Sequence, residues 1–138
     1  MIDKSFPSVS FEFFPPNNKE MESVLWKTVK RLATLKPKFV SITYGADGST
    51  QDRTFSLVSK IINETHLTPA PHLTCINATR DEIDEIARMY WDIGIRHLVA
   101  LRGDAPKGSN SHITNPDGYA FASDLVTGLV KVANFDIS

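Results

Sequence analysis

The sequence predicts an α/β chain of parallel strand and helix units, and three observations carry that reading. Short runs rich in β-branched and aromatic residues alternate with longer stretches of helical apolar spacing. Breaker residues, Pro15-Pro16, Gly45 and Gly94 among them, fall at the changeovers. With 138 residues, 41% of them hydrophobic and 22% charged, the chain can build a core and lies far from the composition of disordered segments. Strands separated by crossover helices run parallel, because each crossover returns the chain to the same end of the sheet.

The first strand is Val9-Ser10-Phe11-Glu12-Phe13-Phe14, stopped by Pro15-Pro16, whose rings exclude helix before them and remove ladder donors. A helix follows from Glu20 to Leu35, with Met21, Val24, Leu25, Val29 and Leu32 on one face. The second strand, Phe39 to Tyr44, ends at Gly45, and a polar loop from Ala46 to Asp52 leads to a helix carrying Phe55, Leu57, Val58, Ile61 and Ile62. Pro71-His72-Leu73-Thr74-Cys75-Ile76 is the third strand, and Thr79 with Glu82 three residues on forms a capping box. The helix it opens shows Ile83, Ile86, Ala87, Tyr90 and Trp91 on its apolar face. Gly94 is a natural stop, and Arg96 to Leu101 is the fourth strand, ending at Arg102-Gly103-Asp104. Ala105 to Gly118 has the turn-forming composition of a flexible flap over a site. A last helix, Ser123 to Asn134, carries Leu125, Val126, Leu129, Val130 and Val132, and Phe135-Asp136-Ile137-Ser138 reads as the start of another strand.

Four units and the beginning of a fifth fit either an open wound sheet or part of an eight-stranded (β/α)8 barrel, and the rhythm alone leaves both open. A complete barrel takes about 250 residues, so on that reading this is a partial barrel of about four units, a single domain over residues 1–138.

A net charge of -1, with Lys and Arg scattered rather than clustered, argues against a nucleic-acid or anionic-membrane surface. The apolar runs are far shorter than the roughly 20 residues of a spanning helix. The one cysteine, Cys75, cannot make an internal disulfide or a multi-cysteine metal site, and the N-terminus has no apolar leader segment. The expectation is a reducing, cytoplasmic setting, with no metal, no membrane and no nucleic acid.

In parallel α/β sheets ligands bind at the C-terminal ends of the strands. Those ends offer Glu12; Thr43 and Tyr44; Thr74 and Cys75; and Arg102-Gly103-Asp104. Glu12, flanked by Phe11, Phe13 and Phe14, leads: a carboxyl among aromatics loses hydration, which raises its pKa and suits it to act as a general acid. The bland alternative is a strand-edge Glu paired with a Lys or Arg. Gly103 would let the backbone approach a bulky ligand, whereas Arg102 and Asp104 could equally be a local surface pair. His72 and Cys75 read more simply as core residues, and Met89, Tyr90 and Trp91 as packing. No GxGxxG, P-loop, HExxH or CxxC is present.

Four segments in order, Ser10-Phe11-Glu12-Phe13-Phe14-Pro15-Pro16, Phe39-Val40-Ser41-Ile42-Thr43-Tyr44-Gly45-Ala46, Pro71-His72-Leu73-Thr74-Cys75 and Val99-Ala100-Leu101-Arg102-Gly103-Asp104, closely resemble the bacterial-type methylenetetrahydrofolate reductase family. The resemblance runs from about Val9 to Ser138. It implies the eight-stranded barrel, FAD at its C-terminal face, NADH or NADPH as hydride donor, a folate substrate and, when the barrel is complete, a homo-oligomer. It implies that Glu12 protonates the folate nitrogen, and that Asp104 lies near flavin and folate as a catalytic and substrate-binding carboxylate. Thr43, Tyr44, Ala46, His72, Arg102, Gly103, Asp104 and Ala122 match cofactor-lining positions. The stretch between Asp104 and Phe121 is longer than the family pattern, Phe121 stands where a tyrosine is usual, and the sequence stops where the family continues through four more strands. Half a barrel has unpaired edges and an uncovered face, so the chain alone is expected to bind FAD weakly and turn over poorly or not at all. The alternative is a non-catalytic half-barrel module that pairs with a copy of itself or with a complementary half.

Overall fold

The computed structural model describes residues 7–44, 51–104 and 115–138. Along the chain lie β1 (Phe11–Phe13), α1 (Lys19–Ala33), β2 (Val40–Ile42), α2 (Gln51–Glu64), β3 (Pro69–Thr74), α3 (Arg80–Asp92), β4 (His97–Leu101), α4 (Ala122–Val132) and β5 (Asp136–Ile137). The strands form one sheet in the order β1-β2-β3-β4-β5, with every pairing parallel. A doubly wound sheet reverses its strand order at a switch point; here the order runs on in one direction. The sequence expectation of parallel strand and helix units, with a fifth strand beginning at the end, is met.

Sheet residues Phe13, Val40, Ile42, Leu73, Cys75 and Leu98 join Val29, Leu57, Val58, Ile61, Ile83, Ala87, Leu125 and Leu129 from all four helices in one buried cluster. Every helix therefore packs on the same face of the sheet. The other face, reached by the alternate residues of each strand, presents the polar residues Glu12, Ser41, His72, Thr74 and His97 among Ala70, Val99 and Leu101. This division by face positions the candidate site.

Local chemistry sets the element ends. Asn18 caps α1 by accepting from the Met21 N–H at 2.8 Å. The helix ends at Ala33 rather than Leu35, with Lys36 left-handed at φ 51, because the following Pro37 excludes the helical conformation at the residue before it. Thr79 and Glu82 close the expected capping box on α3: the Glu82 N–H donates to the Thr79 hydroxyl at 3.2 Å and the Thr79 N–H to the Glu82 carboxylate at 2.8 Å. Gly94, at φ 101, completes a Schellman end, in which the Ile95 N–H reaches Tyr90 O at 2.9 Å and the Gly94 N–H reaches Trp91 O at 3.0 Å. Strand β3 begins two residues earlier than the sequence suggested. Pro69 and Pro71 share one parity, so their missing donors face one neighbour only and the other ladder survives.

The apolar stripe of α1 is only half used. Val29 is buried and Leu25 and Leu32 are partly covered, whereas Met21 and Val24 are 46% and 61% exposed. Phe14, 69% exposed, lies on the same side of the molecule, where β1 has no strand neighbour on its outer edge among the described residues. An apolar pocket of about 420 Å³ runs between this edge and α1, lined by Glu12, Phe14, Met21, Val24 and Leu25.

Candidate active site

The strand register brings three side chains from three strands together. Glu12 pairs in register with Ser41, and His72 follows two residues beyond Ala70, the β3 partner of Ser41. The Ser41 hydroxyl donates to Glu12 Oε2 at 3.3 Å, and His72 Nε2 lies 3.3 Å from the same oxygen. Oε1 has no partner among the described residues. Glu12 is a strand-edge carboxylate, but its partners are a hydroxyl and an imidazole rather than the Lys or Arg of the bland alternative.

One premise of the sequence reading needs correction. The aromatic residues flanking Glu12 do not enclose it, because neighbours in a strand point to opposite faces: Phe13 is buried among the helices while the Glu12 side chain is half exposed. Flanking aromatic residues in a strand sequence are not a desolvated pocket.

His72 is more than a satisfied core histidine, since it contacts Glu12. Its side chain is only 12% exposed, and burial lowers its pKa below the ordinary imidazole value, against the opposing attraction of the Glu12 carboxylate. Its folded-state pKa lies below its unfolded value of about 6.5, so the unfolded chain binds the proton more readily. The stability it contributes is complete above that value and is lost as the pH falls through the folded-state pKa. Urea midpoints at pH 7.5 and pH 5.5 are expected to differ less in His72→Gln than in the wild-type chain; an equal difference in both would show that His72 does not carry this dependence.

The ends of β2, β3 and β4 are tied tightly. The Thr43 N–H donates to Phe13 O at 3.0 Å, and Thr43 O accepts from the buried Thr54 hydroxyl of α2 at 3.0 Å. Tyr44 follows, half-buried, its phenol pushed up by desolvation. Beyond β4, the Ile76 N–H donates to Arg102 O at 3.0 Å and the Cys75 thiol faces the same carbonyl at 3.7 Å. Cys75 is buried, and that burial pushes its thiol up, so it stands as the structural residue the sequence suggested. Gly103 has φ +88, and a Cβ there would meet Ile76 Cγ2 at 2.7 Å and Thr74 Cβ at 3.1 Å. Its glycine is demanded by this turn against β3, a closer constraint than the ligand approach inferred from sequence.

Asp104 is exposed past the end of β4, and no hydrogen bond or ion pair joins it to Glu12 among the described residues. Ala122 opens α4, whose first turn is closed by the Asp124 carboxylate accepting the Phe121 N–H at 3.1 Å. Ala46 and residues 105–114 of the expected flap lie outside the described residues. Tyr119 packs over Gly128 of α4 and donates to Asp84 at 2.9 Å; desolvation first, and this bond second, push its phenol up to about 12. Sequence reasoning assigned no role to Ser41. Its signal was parity: it shares a face with Thr43 and sits level with Glu12 once the strands align. Among the described residues no cluster of His, Cys, Asp or Glu is placed to hold a metal ion, and no helix is long and apolar enough to cross a membrane.

A parallel β/α sheet with helices on one face, and a carboxylate, imidazole and hydroxyl grouped on the other, defines an α/β protein with a candidate site on its helix-free face. The family model described as methylenetetrahydrofolate reductase matches residues 1–138. The chain is 59% identical over 131 residues to 5,10-methylenetetrahydrofolate reductase of Escherichia coli (strain K12), covering 95% of this chain and 42% of that protein. It is 53% identical over 131 residues to the enzyme of the same name from Pectobacterium carotovorum subsp. carotovorum, with the same coverage. It is 38% identical over 117 residues to Methylenetetrahydrofolate reductase (NADH) 1 of Arabidopsis thaliana, covering 85% of this chain and 20% of that protein. The chain belongs to the methylenetetrahydrofolate reductase family. It spans 42% of the length of these two bacterial relatives.

Proposed function

We propose that this chain supplies the acid-bearing half of an FAD-dependent methylenetetrahydrofolate reductase, in which four β/α units and the first residues of a fifth strand form part of a (β/α)8 barrel. The observation that carries the reading is the family match over the whole chain, joined to the grouping of Glu12, Ser41 and His72 on the helix-free face of β1, β2 and β3. Strand order without a reversal and helices on one face support barrel winding.

The residues present fit a flavin. Thr43, Tyr44, His72 and Arg102 stand on or just beyond consecutive strands, and offer hydroxyl, imidazole and guanidinium donors with an aromatic ring, a set suited to ring carbonyls and phosphates. When bound, FAD supplies reversible hydride acceptance, with NADH or NADPH as donor. Glu12 delivers a proton to the folate nitrogen, which opens the five-membered ring to a cationic iminium. The Asp104 carboxylate favours that cation by charge.

The test is a chimera that continues this chain with the C-terminal part of the Escherichia coli relative. It is expected to take up FAD and to reduce methylenetetrahydrofolate with NADH or NADPH. A folded chimera that binds no flavin would overturn the reading. The half-used stripe of α1 and the open edge of β1 favour a second reading, a half-barrel that pairs with a copy of itself. Gel filtration of the chain with added FAD separates the two: a flavin-free dimer supports the module.

A further inference from the structure

We propose that Ser41 is a positioning residue for the Glu12 acid, acting with His72 to hold one carboxyl oxygen so that the transferable proton resides on the other. The inference rests on the reading of Glu12 as the acid. Its geometry is independent of that reading: a hydroxyl and an imidazole nitrogen, from two different strands, both lie 3.3 Å from Oε2, and among the described residues no hydrogen bond or ion pair engages Oε1.

The Ser41 hydroxyl engages Oε2 and the His72 ring lies against it, so placing the carboxyl proton on Oε2 displaces the Ser41 bond, whereas Oε1 takes the proton at no such cost. The proton therefore belongs on Oε1. Burial disfavours the charged form of His72, so near pH 7 the ring stands beside Oε2, with Nε2 at 3.3 Å, as a neutral group rather than as a second full charge. Ser41 is itself 7% exposed and is fixed in the sheet by its register with Glu12 on one side and Ala70 on the other. The donor on β2 is thus rigid, whereas Glu12, on an edge strand and half exposed, would otherwise sample several rotamers. Glu20 of α1 lines the pocket beside Glu12, while Glu12 is the charged group in contact with His72.

The experiment follows the His72 ring by NMR across a pH titration of the chain. Glu12→Gln removes the carboxylate beside the imidazole and is expected to lower the His72 midpoint by about one pH unit. Ser41→Ala leaves the carboxylate in place but releases its grip, and is expected to lower the midpoint by less than Glu12→Gln does. Ser41→Thr, which keeps the hydroxyl, is expected to restore the wild-type value. A His72 midpoint unchanged in Ser41→Ala overturns the proposal, as does one unmoved in Glu12→Gln. A Ser41→Ala chain that loses its dispersed spectrum leaves Ser41→Thr and Ser41→Cys as the comparison, where Cys, a weaker donor, must fall below Thr. Folate reduction that persists in Glu12→Gln within the chimera would instead remove the acid role, while leaving the NMR result standing.

Discussion

Replacing Glu12 by Gln in the chimera is expected to lower folate reduction by about 100-fold to 10,000-fold while flavin uptake and its reduction by NADH or NADPH continue. The amide keeps the shape and can still accept from Ser41 at the oxygen corresponding to Oε2, beside His72, so the fold and the strand ends are undisturbed. What it lacks is a transferable proton. The two half-reactions should therefore separate, one normal and one nearly silent. Equal loss of both would mean that Glu12 acts by holding the site together, and undiminished folate turnover would remove it from the chemistry.

Replacing Gly103 by Val is expected to be the most damaging single change to the framework. Two costs add at this position. A positive φ for a β-branched residue is strained by about 1–3 kcal/mol, and the new side chain enters space that Ile76 and Thr74 already fill, an overpacking cost of about 1–3 kcal/mol. The shift should appear as a lower urea midpoint with an unchanged slope, since the same surface is exposed on unfolding. Gly103→Ala should show the same sign with a smaller size. A Val variant as stable as the wild type would mean that the turn relaxes away from β3 at no cost.

The parts of this molecule that were legible in its sequence are those governed by neighbours in the chain. The capping box at Thr79 and Glu82, the stop at Gly94 and the alternation of periods all depend on residues a few positions apart, and the structure repeats them with only end shifts. The site was legible by residue type and by resemblance, but not by surroundings. Glu12 was read as enclosed by its chain neighbours, whereas in a strand those neighbours point away, and its true surroundings come from 29 residues on at Ser41 and from β3 at His72. Such contacts depend on register, which a run of six residues does not specify. The exposed half of the α1 stripe was illegible for a related reason: periodicity shows that a face is apolar but not what covers it.

Cys75 carries a practical consequence. It is the single thiol of the chain, sealed beneath the Arg102 carbonyl at the junction where β3 and β4 deliver the Arg102-Gly103 turn. An alkylating reagent can reach it only when that junction opens, so its labelling rate is a clock for local breathing of the rim beyond β3 and β4. The same sulfur, chemically idle in the folded chain, becomes an internal reporter: any ligand that settles on the rim should slow the clock in proportion to how tightly it binds.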